Sequence, residues 1–135
     1  MTYLESIALI LKQEGFMVSG INSTNKSIDI DSLIEAFNRF NNVDNKRKLI
    51  VQIGHSRDSR FFDFLLYCIF CADDFNIRHG TLKYLPYYKG EKDLNPLFER
   101  IVSSGQRNDY EPYFSIALGM IGGECKERFL VKQVE

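Results

Sequence analysis

Two cysteines three residues apart, two histidines and a group of tyrosines set among carboxylates are the residues of this chain whose types and spacing could do chemistry. Cys68-Ile-Phe-Cys71 has the spacing of a redox pair. Such a pair needs a depressed thiol pKa, which a helix N-terminus after a strand supplies. Here both cysteines lie mid-to-late in the apolar run LLYCIFCA, where the helix dipole has the opposite sign. We read them as two core cysteines. Zinc would need further ligands at paired spacings, whereas Cys125, His55 and His79 lie in separate segments. No metal and no cofactor are expected.

His55 in IGHSRD and His79 in NIRHG each sit at a helix end or connection. An acid–base role would need a positioned partner such as Asp58 or Asp74. The same pairs arise as helix-capping networks, and a structural or solvent-facing role is the reading taken. Gly119, Gly122 and Gly123 have no strand before them and no Lys-Ser/Thr after them, so they read as a helix end and turn. Lys46-Arg47-Lys48, with Arg57 and Arg60 nearby, forms a basic cluster in sequence. No aromatic residues interleave with it for base stacking, so it reads as a solvated face without direct nucleic-acid binding.

The tyrosines point elsewhere. Tyr84, Tyr87 and Tyr88 flank Pro86 beside Lys89-Gly90, where a loop is expected to surface, and Tyr110 and Tyr113 open a later segment. Loop tyrosines offer large contact area with little side-chain entropy to lose, which suits a protein–protein interface. Glu91, Asp93, Asp109 and Glu111 accompany them. An acidic, tyrosine-bearing edge fits a partner with a cationic cleft. The expected contact residues are Asp73, Asp74, Tyr87, Tyr88, Asp109, Tyr110 and Glu111, with no catalytic set. Ordinary helix packing would use the same rings equally well.

These residues must be held by helices. Leu4, Ile7, Ala8 and Leu11 share one helical face over residues 2–14, and Gly15 stops that helix. Residues 20–29 are polar and turn-rich. Ser32 and Glu35 have capping-box spacing and open a helix with Leu33, Ile34, Phe37 and Phe40 inward. A short helix over 45–54 follows, then an apolar one from Asp58 or Ser59 to about Ala72. Residues 75–85 form the next, closed by Pro86. Asp93 caps a helix with Pro96 in its first turn. SSGQRND is a loop, Pro112 lies near another helix start, and residues 124–133 close the chain as a last helix. No alternating strand run is present.

The segments also repeat. Leu33, Leu65, Leu97 and Leu130 recur at steps of 32, 32 and 33, and Ile53, Leu85 and Leu118 at 32 and 33. A fixed period of this size marks a repeat architecture whose unit buries its apolar stripe only by stacking on its neighbours. The expected fold is all-α, an α-α superhelix of stacked helical hairpins with seven to eight helices. The 135 residues read as one domain, with 1–41 an irregular N-terminal cap and 45–133 the repeats. A chain this long buries roughly 65–70% of its unfolded surface and needs no staple.

Net charge is −1, but it is unevenly placed: −3 over residues 1–45, +4 over 46–90 and −2 over 91–135. The total gives no global attraction to nucleic acid or anionic lipid. Three cysteines, two of them in an apolar run, argue for a reducing compartment. The N-terminus has no basic region ahead of its apolar stretch, and no apolar run approaches the length of a membrane span. A cytoplasmic location without a membrane partner is expected.

From residue 45 to 130, LIVQIGHSRDSRFFDFLLYC, DFNIRHGTLKYLPYYKGEKDLNPLFERI and DYEPYFSIALGMIGG resemble HEAT-like repeats of the short phycobilisome-lyase type. Asp74 to Arg78 in DFNIR matches that family's inter-repeat corner. Pro86 stands where the family has a helix-ending glycine, and aromatics stand where it uses alanine. The resemblance implies a binding scaffold. Compact single-domain members are similar to immunity proteins of bacterial polymorphic-toxin and contact-dependent growth inhibition systems. That implies a non-enzymatic inhibitor of a cognate toxin domain, a nuclease with a cationic cleft. A HEAT-like adaptor in a larger complex is the alternative, and an enzyme is a third class.

Overall fold

The structure, a computed structural model, describes residues 1–130. All regular elements among the described residues are helical, as the sequence predicts. The α-helices are α1 (Tyr3–Gln13), α2 (Ile30–Asn38), α3 (Val43–Ser56), α4 (Phe62–Phe70), α5 (Phe75–Thr81), α6 (Asn95–Ser103), α7 (Tyr113–Ile121) and α8 (Gly123–Leu130). Short 3₁₀ segments cover Ser59–Phe61, Leu82–Tyr88 and Arg107–Tyr110. The chain divides into two compact units, Met1–Phe70 and Cys71 onward.

In the first unit α1 packs on α3 and α2 on α4. Its core is built from Ile7, Leu11, Leu33, Phe37, Leu49, Ile53, Phe64 and Leu65. Phe37 and Phe64 meet edge to face at 5.4 Å, a preferred aromatic geometry. On α1, Ile10 is buried beside Ile7 and Leu11, while Leu4 and Ala8 are only half-buried. The start of α2 corrects the expected capping box. Asp29, not Ser32, is the cap: its Oδ1 accepts from the Ser32 N–H at 3.1 Å and its Oδ2 from the Ser32 hydroxyl at 2.8 Å. A charged carboxylate is the stronger acceptor, so Ser32 becomes a donor inside the first turn. Asn42 caps α3 through the Asp44 and Asn45 N–H groups, so that helix starts earlier than expected.

Glu14 and Arg60 fasten this unit. Glu14 Oε1 accepts from the Asn41 N–H at 2.7 Å and Oε2 from the Asn45 amide at 2.7 Å, joining the end of α1 to the start of α3. Arg60 pairs with Asp58 at 2.7 Å and donates from Nη1 to the carbonyls of Gly20, Ser23 and Lys26, pinning the 20–29 loop.

Carboxylates engaged in this way titrate low. The Asn45 amide holds the Glu14 carboxyl below its usual range, and the Ser32 hydroxyl does so for Asp29. Burial pushes Asp58 up, and the hydrogen bonds and charge of Arg60 outweigh it. A depressed carboxyl contributes stability that is present above its unfolded pKa and lost as pH falls through the folded value. Hydrogen-exchange protection in residues 1–70 should therefore drop below about pH 4. Glu14→Gln combined with Asp29→Asn should flatten that acid response; an unchanged response would show these carboxylates do not carry it.

In the second unit α5 packs on α7, α6 on α8, and α7 on the Leu82–Tyr88 segment. Phe98, Phe114, Leu118 and Phe129 form its centre, with Phe98 and Phe114 edge to face at 5.2 Å. Asp74 caps α5, its Oδ1 accepting from Asn76 N–H at 2.8 Å and Ile77 N–H at 3.3 Å. After Thr81 the chain tightens into the 3₁₀ segment. Pro86 does not close it: the proline lacks only its own N–H, and its carbonyl still accepts from Lys89 N–H at 3.3 Å. Residues 107–110, expected as loop, wind into a 3₁₀ turn tied by Arg107 Nη1 to the Phe129 carbonyl at 2.6 Å. Gly119 lies inside α7, and Gly122, at φ +66°, ends it.

Ile53, Leu85 and Leu118 of the second periodic series are all buried. In the first series Leu33 and Leu65 are buried, Leu97 is half-buried because Phe98 takes the core position, and the side chain of Leu130 lies outside the described residues. Residues 131–133 of the expected last helix also lie outside them. Among the described residues no helix is long and apolar enough to cross a membrane.

Candidate interaction site

The second unit holds a cleft of about 160 Å³ between α5 and the Arg107–Tyr110 turn, lined by Phe75, Arg78, His79, Gln106, Asp109 and Tyr110. The sequence around Asp74 dictates its shape. The Asp74 cap starts α5, which sets Phe75, Arg78 and His79 at i, i+3 and i+4 on one face. Phe75 is 46% exposed. The Arg78 guanidinium lies 5.6 Å from its ring centre and donates from Nη1 to the carbonyls of Ala72 and Asp73. The expected corner from Asp74 to Arg78 is thus a carboxylate cap joined to an arginine holding the preceding turn. Asp74→Ala should cost about 1 kcal/mol of stability by leaving two amides uncapped, measured by thermal unfolding; no loss would show that water replaces the cap fully.

His79 lies between two rings, 4.6 Å from Phe75 and 5.3 Å from Tyr113. Its Nε2 meets Asn76 Oδ1 at 3.3 Å. With the hydrogen on Nε2, where it can be donated to that amide oxygen, Nδ1 is left as an acceptor. That Nδ1 is buried and has no hydrogen-bond partner among the described residues. Burial pushes the Tyr110 phenol up, against the pull of Arg78 and Arg100.

The seven expected contact residues divide into three groups. Asp73 and Asp109 are exposed, and Asp109 lines the cleft. Asp74 is exposed but serves as a cap, and half-buried Glu111 accepts from the Ser115 N–H at 2.9 Å inside the first turn of α7. Tyr88 is fully buried, Tyr110 is 4% exposed and Tyr87 is half-buried. The loop expected to surface at 84–90 is instead a 3₁₀ segment packed on α7, which turns Tyr84 and Tyr88 into core. Comparison with protein-family models, curated proteins and solved structures finds no match.

The other sequence candidates settle as follows. Cys68 is buried, but Cys71 is exposed, which corrects the expectation of two core cysteines. His55 is exposed on the last turn of α3. Among the described residues, no three His, Cys, Asp or Glu side chains could together hold a metal ion. Three members of the basic run have partners of their own: Lys46 Nζ lies 5.2 Å from the Phe37 ring centre, Arg47 faces Asp44 at 4.0 Å, and Arg60 is turned to the 20–29 loop. Phe75 and Gln106 were not among the expected residues. Phe75 could have been found from Asp74, since a cap exposes the first residues of its helix.

Proposed function

We propose that this chain is a non-enzymatic immunity protein that binds a cognate bacterial toxin domain, a nuclease with a cationic cleft, and blocks it in the cytoplasm. The observation that carries the reading is exposed Asp109 lining a cleft walled by Phe75, with exposed Asp73 two residues before that ring in the chain. Exposed carboxylates around an accessible aromatic ring supply charge steering and an apolar anchor. Inhibition would be occlusion plus charge complementarity. The three free thiols support a reducing compartment.

We also propose that the hairpins stack as a HEAT-like superhelix, a reading supported by helices that pack on their second neighbours, α1 on α3, α2 on α4, α5 on α7 and α6 on α8. That pairing equally favours the alternative, an adaptor in a larger complex. Co-expression separates the two. The product of the reading frame immediately upstream should arrest growth when expressed alone, and this chain should restore it. Growth arrest that this chain does not relieve, or an upstream product without toxicity, would favour the adaptor.

A further inference from the structure

α7 is apolar on both faces. Phe114, Ala117 and Leu118 face the core and are fully buried, whereas Ile116 and Met120 are each 48% exposed. Tyr113, Ile116 and Met120 recur at i, i+3 and i+7, so they share the outer face. YFSIALGMI contains no charged residue, and a helix apolar all round is normally covered all round. The outer stripe continues beyond α7. Tyr113 touches His79 and His79 touches Phe75, which carries the apolar surface to the cleft. Asp109 lines that cleft and is exposed, and exposed Asp73 and Asp74 directly precede Phe75 in the chain. Arg78 is the cation among the cleft-lining residues, and its Nη1 is committed to the carbonyls of Ala72 and Asp73. An exposed apolar patch with a charged rim marks an interaction site.

We propose that the outer face of α7 and the adjoining cleft form one docking surface for a protein segment that carries a basic side chain beside apolar ones. This rests on the inhibitor reading for the cationic character of the partner. The apolar side chains cover Ile116 and Met120. The basic side chain enters the cleft, where Asp109 supplies charge and His79 Nδ1 supplies an acceptor that otherwise has none.

The test uses the whole chain and a display library of random short peptides. Enriched peptides should combine Lys or Arg with aliphatic or aromatic residues. Their affinity should fall at least about tenfold with Ile116→Asp and with Asp109→Lys, both at exposed positions. It should be unchanged by Met17→Asp, at a 96% exposed residue on a separate apolar groove of the first unit. Enrichment of acidic peptides, no enrichment, or binding lost only with Met17→Asp would overturn the proposal. So would self-association in sedimentation velocity that Ile116→Asp abolishes, which would make a second copy of the chain the occupant. Failure of the growth-rescue experiment leaves these peptide results unmoved, so the two readings fail separately.

Discussion

Arg60→Ala is expected to destabilise the first unit by about 2–4 kcal/mol, a value taken below that of a fully buried pair because both partners retain some exposure. The Arg60 and Asp58 side chains are 16% and 21% exposed, and the pair is closed at 2.7 Å. Arg60 Nε also donates to Asp58 Oδ1 at 3.0 Å, while Nη1 serves three backbone carbonyls of the 20–29 loop. Alanine leaves the carboxylate without its cation and frees the loop in one step. Arg60→Lys should recover only part of the loss, because an ammonium cannot reach the carboxylate and the carbonyls together as a guanidinium fork does. Chemical denaturation gives the magnitude, and hydrogen exchange over residues 20–29 gives the location. Equal stability of the lysine variant and the parent would show that charge alone matters.

Gly20→Ala should cost a similar amount, about 2–4 kcal/mol, through a left-handed backbone conformation and a steric clash acting together. Gly20 has φ +93°, and a Cβ there would lie 2.1 Å from the Ser27 carbonyl oxygen. The clashing atom is backbone and cannot swing aside. Gly15 is the control. It has φ +87° but nothing within 4 Å of an added Cβ, so Gly15→Ala should cost only the conformational share, about 1–2 kcal/mol. Equal losses at the two positions would mean that the loop yields to the clash and that Arg60 does not pin it rigidly.

The sequence was most legible where apolar spacing and caps agree. Ile7 and Leu11, Leu33 and Phe37, and the buried series Ile53, Leu85 and Leu118 follow from periodicity alone, and Asp58, offered with Ser59, was readable as a cap. Two kinds of information were not legible. Competition between neighbouring acceptors is decided by geometry, so Asp29 displaced Ser32 as the α2 cap. Packing partners are not encoded locally, so the tyrosines near Pro86 read as loop although α7 buries Tyr84 and Tyr88. The candidate site was half legible. Asp73 and Asp109 were found from charge, while Ile116 and Met120 were hidden in a helix whose uniformly apolar sequence reads as core.

The expected contact set also guides which charges to reverse. Asp74 holds the first turn of α5, so reversing it would mix lost folding with lost binding. Asp73 and Asp109 make the cleaner pair. The decisive measurement is the affinity of this chain for the product of the reading frame immediately upstream, which the proposed function takes as its toxin, by calorimetry, for the parent and for Asp73→Lys with Asp109→Lys. One-to-one binding that weakens on the order of a hundredfold in the double variant is the expected result. Absence of binding, or the same affinity in both proteins, would contradict an inhibitor that works through this acidic edge.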